Sequence, residues 1–146
     1  MNWNDFDAAL FDLDGVLTPT ADLHQRAWFQ LFAEYLASRP MVDPYSDSDY
    51  FAHIDGRPRF DGVAALLASR GIQLPWGTPE DPPEAHTVCG LGLRKNLGFE
   101  RLLQREGIAP YPGSLRLVKQ LHAAGTKLAV VSSSRNATEV LRLAGI

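Results

Sequence analysis

The sequence has one cysteine, Cys89, and no apolar run that approaches the length of a membrane helix. A single cysteine cannot form an internal disulfide, and no Cys/His spacing matches a zinc site, so we expect a reducing, cytoplasmic environment. We expect Cys89 itself to be a small buried residue. A membrane span needs roughly 20 apolar residues, and the acidic N-terminus lacks the basic start and apolar core of a signal peptide. We therefore expect neither a span nor a secretion signal.

An excess of basic residues is also missing. The 146 residues include 14 Lys and Arg against 17 Asp and Glu, which gives a net charge of −3. Proteins that bind nucleic acid neutralise its phosphates with a basic surface, so we expect no nucleic-acid partner and no membrane partner. Hydrophobic residues make up 45% of the chain and charged residues 21%, which is the ordinary composition of a folded domain.

Two acidic residues follow a short apolar run near the N-terminus. The run Ala8-Ala9-Leu10-Phe11 leads into Asp12-Leu13-Asp14-Gly15 and predicts a buried strand that ends in carboxylates at a sheet edge. Side chains alternate along a strand, so Asp12 and Asp14 leave on one side while Leu13 turns towards packing. Like charges this close need a cation or a proton between them. Both conditions suit phosphoryl transfer with Mg²⁺; the alternative is an ordinary turn with Asp12 solvated.

A second polar segment follows another apolar run. Leu128-Ala129-Val130-Val131 continues into Ser132-Ser133-Ser134-Arg135-Asn136. Hydroxyls and backbone N–H groups at a junction from strand to helix make an anion site that suits a phosphoryl group. Parallel strands of such sheets bind ligands in the crevice beyond their carboxyl ends, where the acid pair is also expected. The alternative is that Ser134 or Asn136 only caps the next helix.

Most of the remaining chain is predicted to be helical. Apolar residues recur at helical spacing from Thr20 to about Arg39 and predict an amphipathic helix, with inward positions Leu23, Ala27, Trp28, Leu31, Phe32, Tyr35 and Leu36. Further helices are predicted at 50–54, 60–69, 86–106, 114–124 and 136–144, a buried strand at 127–131 and an irregular loop at 71–84. A crossover between parallel strands needs only about a dozen residues. The long helical block must therefore be an inserted unit.

These motifs resemble those of the haloacid dehalogenase superfamily. Asp12-Leu13-Asp14-Gly15-Val16 is similar to its first motif, DxDG followed by Val or Thr, and Ser132 matches its second motif, a Ser or Thr that ends an apolar strand. The resemblance implies an α/β, Rossmann-like core, here with two strands of an incomplete parallel sheet, and an inserted α-helical cap. The core would be residues 1–20 and 109–146, and the cap residues 21–108. Asp12 would be the nucleophile and Asp14 the general acid/base. Mg²⁺ would be bound by Asp12 and by Asp14, the latter through its backbone carbonyl.

A longer stretch resembles the β-phosphoglucomutase-like subfamily. Residues 18–28, TPTADLHQRAW, are similar to its T-D-T-A-x-x-H-x-R-A-W, although Pro19 replaces the usual aspartate. This implies that Thr20, His24 and Trp28 couple the cap to the acid/base; core packing is the alternative for His24 and Trp28. Gly56-Arg57-Pro58-Arg59 resembles the cap loop that grips the distal phosphate, through Arg59 or alternatively Arg57. Lys95 and Asn96 would hold the sugar, and residues 132–136 resemble S-A-S-K-N, with Arg135 in place of lysine.

The expected function is a Mg²⁺-dependent mutase that interconverts β-glucose 1-phosphate and glucose 6-phosphate through an aspartyl-phosphate. A mutase acting through a sugar bisphosphate needs a second cationic site for the distal phosphate, which the cap cations can supply; taken singly, each could also be a surface charge. The alternatives are a sugar-phosphate phosphatase and a catalytically incomplete binding module. The superfamily's later lysine and acidic pair cannot be placed after Ser132. We therefore expect the N-terminal portion of a longer protein, with little turnover by itself.

Overall fold

The computed structural model describes residues 6–39 and 41–146. In chain order the elements are β1 (Ala8–Phe11), α1 (Thr20–Ala37), α2 (Asp47–Asp49), a π-helix (Tyr50–Ile54), α3 (Arg59–Ser69), α4 (Val88–Glu106), α5 (Pro112–Ala123), β2 (Lys127–Val130) and α6 (Ala137–Ala144). None of the described helices is both long and apolar enough to cross a bilayer. Residues 1–5, which the signal-peptide argument used, lie outside the described residues.

The chain divides into two compact units. Among the described residues, the core unit comprises residues 6–23 and 103–146, and the inserted unit comprises 24–39 and 41–102. Both boundaries fall inside continuous helices, α1 and α4. The cap boundaries at 20/21 and 108/109 stay a prediction from the sequence. Nothing in a helical pattern marks the point at which packing partners change.

The core unit holds a two-stranded parallel sheet. β1 pairs with β2 in the register Ala8 to Lys127 and Phe11 to Val130, and α5 packs against β2. The prediction of two buried strands is wrong, because alternate residues of both strands are exposed and Leu10 is 70% accessible. A groove of about 310 Å³ opens beside β1 and is lined by Phe6, Ala8, Ala9, Leu10, Phe11, Leu117, Leu121 and Thr126.

The inserted unit is built around the apolar face of α1. The amphipathic prediction is confirmed, since all seven of its inward positions are buried. The part of α1 in this unit packs in one cluster with residues of α3 and α4: Trp28, Leu31, Phe32, Tyr35 and Leu36 with Val63, Leu66, Leu67, Val88 and Leu91. The irregular loop at 71–84 is also confirmed, and Cys89 is fully buried, as expected.

The short helix α2 was not predicted. It begins after Ser46, whose backbone N–H donates to Asp49 Oδ2 at 2.8 Å. Arg70 reaches back from the end of α3, pairs with Asp49 at 2.7 Å and donates to the carbonyls of Asp43 and Pro44. Because the ion pair with Asp49 comes from Arg70, a residue distant in the chain, the local sequence gave no sign of this helix.

Two buried tyrosines differ in how their hydroxyls are satisfied. Each is 7% exposed. The Tyr35 hydroxyl accepts a bond from Arg39 Nη2 at 3.0 Å, whereas the Tyr45 hydroxyl has no partner within residues 6–39 and 41–146. The Tyr45 ring stacks on Phe32 and meets Phe29 edge-on, so its contribution is that of an aromatic hydrocarbon.

We expect Tyr45→Phe to leave the free energy of unfolding unchanged or to raise it by about 1 kcal/mol, because it removes a desolvated hydroxyl that makes no bond. The matched change Tyr35→Phe should lower it by about 1 kcal/mol, because a made bond is lost. Urea unfolding of the two variants measures both effects. Equal destabilisation by the two substitutions would show that the Tyr45 hydroxyl is satisfied in solution.

Candidate functional site

The predicted site residues fall into two groups, one in each unit. The core unit contains Asp12, Asp14, Thr20, Ser132, Ser133, Ser134, Arg135 and Asn136, and the inserted unit contains His24, Trp28, Gly56, Arg59, Lys95 and Asn96.

The acid pair lies on a tightly bonded loop directly after β1. Leu13 is fully buried between the two acids, and its carbonyl accepts the backbone N–H groups of Val16, Leu17 and Thr18 at 3.0 to 3.3 Å. Gly15 has a φ of +80°, a conformation that a side chain strains. The loop therefore keeps Asp12 and Asp14 on either side of an anchored leucine.

The start of α5 fixes this loop from the other side. The Tyr111 N–H donates to the Leu17 carbonyl at 2.9 Å, and the Ser114 hydroxyl donates to the Val16 carbonyl at 2.6 Å. Carbonyls of a surface loop would otherwise point to water, so these bonds reduce the freedom of the loop that carries the acids.

The two carboxylates have different surroundings. Asp12 is exposed, and its Oδ1 accepts the Leu13 N–H at 2.8 Å. Asp14 is half-buried and its Oδ1 accepts a bond from the hydroxyl of Thr20, the first residue of α1. Thr20 in turn lies 3.0 Å from the Thr18 hydroxyl, and both threonines are fully buried. Sequence reasoning gave Thr18 no role at the site, although Thr18 is the first residue of the TPTADLHQRAW match.

The serine-rich segment follows the neighbouring strand. Phe11 pairs with Val130, and the Val131 N–H donates to the Phe11 carbonyl at 2.8 Å, so Asp12 and Ser132 follow the same end of the sheet. The Ser132 hydroxyl accepts the Ser134 N–H at 3.0 Å, and the Ser134 hydroxyl accepts the Asn136 N–H at 3.2 Å. A hydroxyl that accepts an N–H still carries its own O–H donor, which a phosphoryl oxygen can accept.

The alternative, in which Ser134 or Asn136 only caps the next helix, agrees with part of the structure. Ser134 accepts the Asn136 N–H next to the start of α6, while Asn136 makes no side-chain cap bond to the helix. Ser133 and Arg135 are exposed in the same segment. The segment thus combines one local capping bond with hydroxyl and guanidinium groups suited to an anion.

The acid pair offers donors for a hard cation. In the described part of the chain, no group of three or more His, Cys, Asp or Glu could hold a metal ion by itself. Mg²⁺, however, keeps several waters and is commonly bound by one or two carboxylates together with substrate phosphates. The Asp12 carboxylate and the Asp14 backbone carbonyl therefore fit part of a Mg²⁺ shell, with two protein oxygens as ligands.

In the inserted unit, Lys95 is a buried cation. It is 3% exposed, and its Nζ lies 2.6 Å from His24 Nδ1 and about 5 Å from the ring centres of Trp28 and Phe99. His24 stacks on Phe99 at 4.0 Å. An ammonium only donates, so Nδ1 must accept and the imidazole is neutral with its proton on Nε2. Trp28 also belongs to the apolar cluster of this unit, in agreement with the alternative that it serves core packing.

Arg59 and Asn96 meet in the same unit. Arg59 begins α3, and its Nη2 donates to Asn96 Oδ1 at 2.7 Å. Gly56 has a φ of +70° in the turn before α3, and Arg57 is exposed in that turn. Arg59, the first choice for the distal phosphate, is therefore held by the side chain of Asn96.

The sequence profile of haloacid dehalogenase-like hydrolases matches residues 6–146. A β-phosphoglucomutase of Mycobacterium tuberculosis (strain CDC 1551 / Oshkosh) is 46% identical over 147 residues, which cover 95% of this chain and 55% of the relative. The chain therefore spans about half the length of this relative.

Solved structures of similar fold include a β-phosphoglucomutase from Clostridium difficile, with a TM-score of 0.73 at 24% identity over 97% of this chain and 57% of the other. A variant of CbbY from Rhodobacter sphaeroides, in complex with xylulose-1,5-bisphosphate, gives a TM-score of 0.68 at 25% identity over 94% and 56%. These similarities confirm the predicted Rossmann-like α/β fold.

The neutral state of His24 leads to a pH prediction. Burial, and then the positive charges of Lys95 and Arg59, lower the pKa of His24 from 6.5 to about 3. Below pH 6.5 the unfolded chain binds a proton here that the folded chain does not bind until about pH 3. The free energy of unfolding should therefore fall as the pH falls from 6.5, by at most about 1.4 kcal/mol per pH unit from this group.

Urea unfolding between pH 7 and 4.5, above most carboxylate titrations, measures this slope. His24→Gln should flatten it, while His122→Gln, which changes an exposed histidine, should not. Imidazole NMR on the unaltered protein gives a direct reading, and a His24 signal that titrates near pH 6.5 would contradict the assignment.

Proposed function

The chain belongs to the haloacid dehalogenase-like hydrolase family, and from this membership we propose that the protein is a sugar-phosphate mutase of the β-phosphoglucomutase type. Its substrate would be a phosphorylated sugar, with β-glucose 1-phosphate converted to glucose 6-phosphate. The observation that carries the proposal is the parallel pairing of β1 with β2. It sets a carboxylate pair and a hydroxyl-rich segment at the same end of two adjacent strands.

The acid pair would perform the chemistry. A carboxylate oxygen of Asp12 would attack phosphorus and form an acyl phosphate, while the bond from phosphorus to the departing sugar oxygen breaks. Asp14 would give a proton to that oxygen, and in the reverse step would take the proton of the attacking sugar hydroxyl. The exposure of Asp12 suits attack on a substrate, and the Thr20 bond to Asp14 fixes the second carboxylate in place.

The serine-rich segment would bind the transferring phosphoryl group. Ser132, Ser133 and Ser134 carry hydroxyl donors, and Arg135 and Asn136 add a cation and an amide. Asp12 and Asp14 would hold Mg²⁺, which when bound supplies charge neutralisation next to the phosphate oxygens. Screening by these groups lets an anionic carboxylate approach an anionic phosphate.

The inserted unit would act as the cap, with Arg59 gripping the distal phosphate and Lys95 contacting the sugar. A mutase must hold a second phosphate away from the nucleophile, and guanidinium groups match phosphate geometry. His24 and Trp28 contact Lys95 and would position it. A cap also excludes water, so that a sugar hydroxyl and not water receives the phosphoryl group.

The second candidate is a sugar-phosphate phosphatase. The matching family is described as hydrolases, and the same acid pair would serve hydrolysis if water reached the acyl phosphate. The 46% identity to a β-phosphoglucomutase favours the mutase.

An assay of the natural full-length protein separates the two. With β-glucose 1-phosphate and Mg²⁺, a mutase should form glucose 6-phosphate in excess over inorganic phosphate. Asp12→Asn should reduce turnover by about 10³-fold or more, because the nucleophile is lost, while Asp7→Asn, an exposed acid before β1, should not. Phosphate released in equal amount to substrate consumed, without isomer, would replace the mutase by the phosphatase.

The Thr20 bond gives a further prediction. Thr20→Val removes the donor to Asp14 but keeps the shape, and we expect turnover to fall about tenfold or more, since bonds to charged groups contribute about 1.5–3 kcal/mol. Thr20→Ser should retain most of the activity. Thr18→Val should have a smaller effect than Thr20→Val, because Thr18 contacts Thr20 and Thr20 is the donor to Asp14. Steady-state kinetics measure all three; equal activity of the Val and Ser variants would exclude a role for the hydroxyl.

A further inference from the structure

We propose that Glu100 is a positioning residue, which orients the amide of Asn96 so that Asn96 holds Arg59 for the distal phosphate. The resemblance to the mutases gave Asn96 a role at the sugar and gave Glu100 none. The proposal rests on the proposed function for its purpose. The arrangement itself rests on distances within the inserted unit.

The three side chains form one relay. Asn96 and Glu100 lie one turn apart on α4, and Asn96 Nδ2 donates to Glu100 Oε1 at 2.7 Å. The other end of the same amide, Oδ1, accepts from Arg59 Nη2 at 2.7 Å. Both ends of the Asn96 side chain are therefore bonded inside the unit. Such bonding favours a positioning role for Asn96 over direct binding of the sugar.

The chemistry of the three groups fixes the direction of the relay. A guanidinium only donates, an ionised carboxylate only accepts, and an amide does both at opposite ends. Turning the amide over would set its NH₂ against the guanidinium and its oxygen against the carboxylate. Glu100 thus determines which end of Asn96 faces Arg59.

Gly92 lies on the same face of α4 as Asn96 and Glu100, close to the stem of Arg59. A Cβ at Gly92 would lie 2.6 Å from Phe60 Cδ1 and 3.4 Å from Arg59 Cδ. Residues 92, 96 and 100 recur every four positions and so share one face of the helix. Along this face, the missing side chain of Gly92 leaves room for the Phe60 ring beside the stem of Arg59. Asn96 bonds the guanidinium of Arg59, and Glu100 bonds Asn96.

Kinetics on the natural full-length protein test the relay. Glu100→Leu should raise KM for β-glucose 1-phosphate about tenfold and leave kcat within about twofold, since loss of a charge-assisted bond loosens binding of the distal phosphate. Glu100→Gln keeps an acceptor oxygen and should restore most of the affinity. Glu84→Leu removes an exposed carboxylate of the same unit and should change neither constant.

A double-mutant cycle shows whether Glu100 acts through Arg59. In an Arg59→Leu background, Glu100→Leu should add no further increase in KM, because residues that act on one interaction are not additive. A full additional increase in that background, or an unchanged KM in the single variant, would overturn the proposal.

A reading without activity separates this proposal from the proposed function. In NMR spectra, rotation of the Arg59 guanidinium should be slow in the unaltered protein and several-fold faster in Glu100→Leu. If the protein shows no activity on sugar phosphates but this difference is seen, the mutase proposal fails and the relay stands. Equal rotation in both proteins would overturn the relay, whatever the activity.

Discussion

The register between β1 and β2 is the constraint that places the acid pair and the serine-rich segment at the same end of the sheet. Phe11 lies opposite Val130, and the backbone bond from Val131 to Phe11 closes the pairing at the point where both strands end. Slipping one strand by a single residue would turn every side chain to the other face of the sheet. Leu13 adds a second constraint. Its side chain is fully buried, and this anchor fixes the backbone that carries Asp12 and Asp14 on either side.

Much of this arrangement could be predicted from the sequence because its causes are local. The acid pair, the glycine that turns the loop and the serine-rich segment are each contiguous, and the apolar face of α1 shows in the spacing of its residues. The exposure of β1 and β2 could not be predicted in this way. An apolar run such as that around Leu10 indicates a strand, but its burial depends on which other elements cover the sheet.

Two of the contacts that sequence reasoning missed join residues far apart in the chain. Arg70 orders the segment before α2 through Asp49, and Arg59 on α3 bonds Asn96 on α4. Neither bond has a signature at either end, because arginine is an ordinary surface residue and asparagine an ordinary loop former. Helical periodicity likewise continues unbroken through α1 and α4 while the packing partners change.

The inserted unit holds its two central cations through neutral side chains. Lys95 is bonded to an imidazole and Arg59 to an amide, and a neutral partner orients a cation without cancelling its charge. The bond from Lys95 requires a neutral His24. Burial, together with the positive charges of Lys95 and Arg59, lowers the pKa of His24 and keeps the imidazole neutral. A protonated His24 would lose its acceptor and repel Lys95. Both cations therefore keep their positive charge while their side chains are held in place.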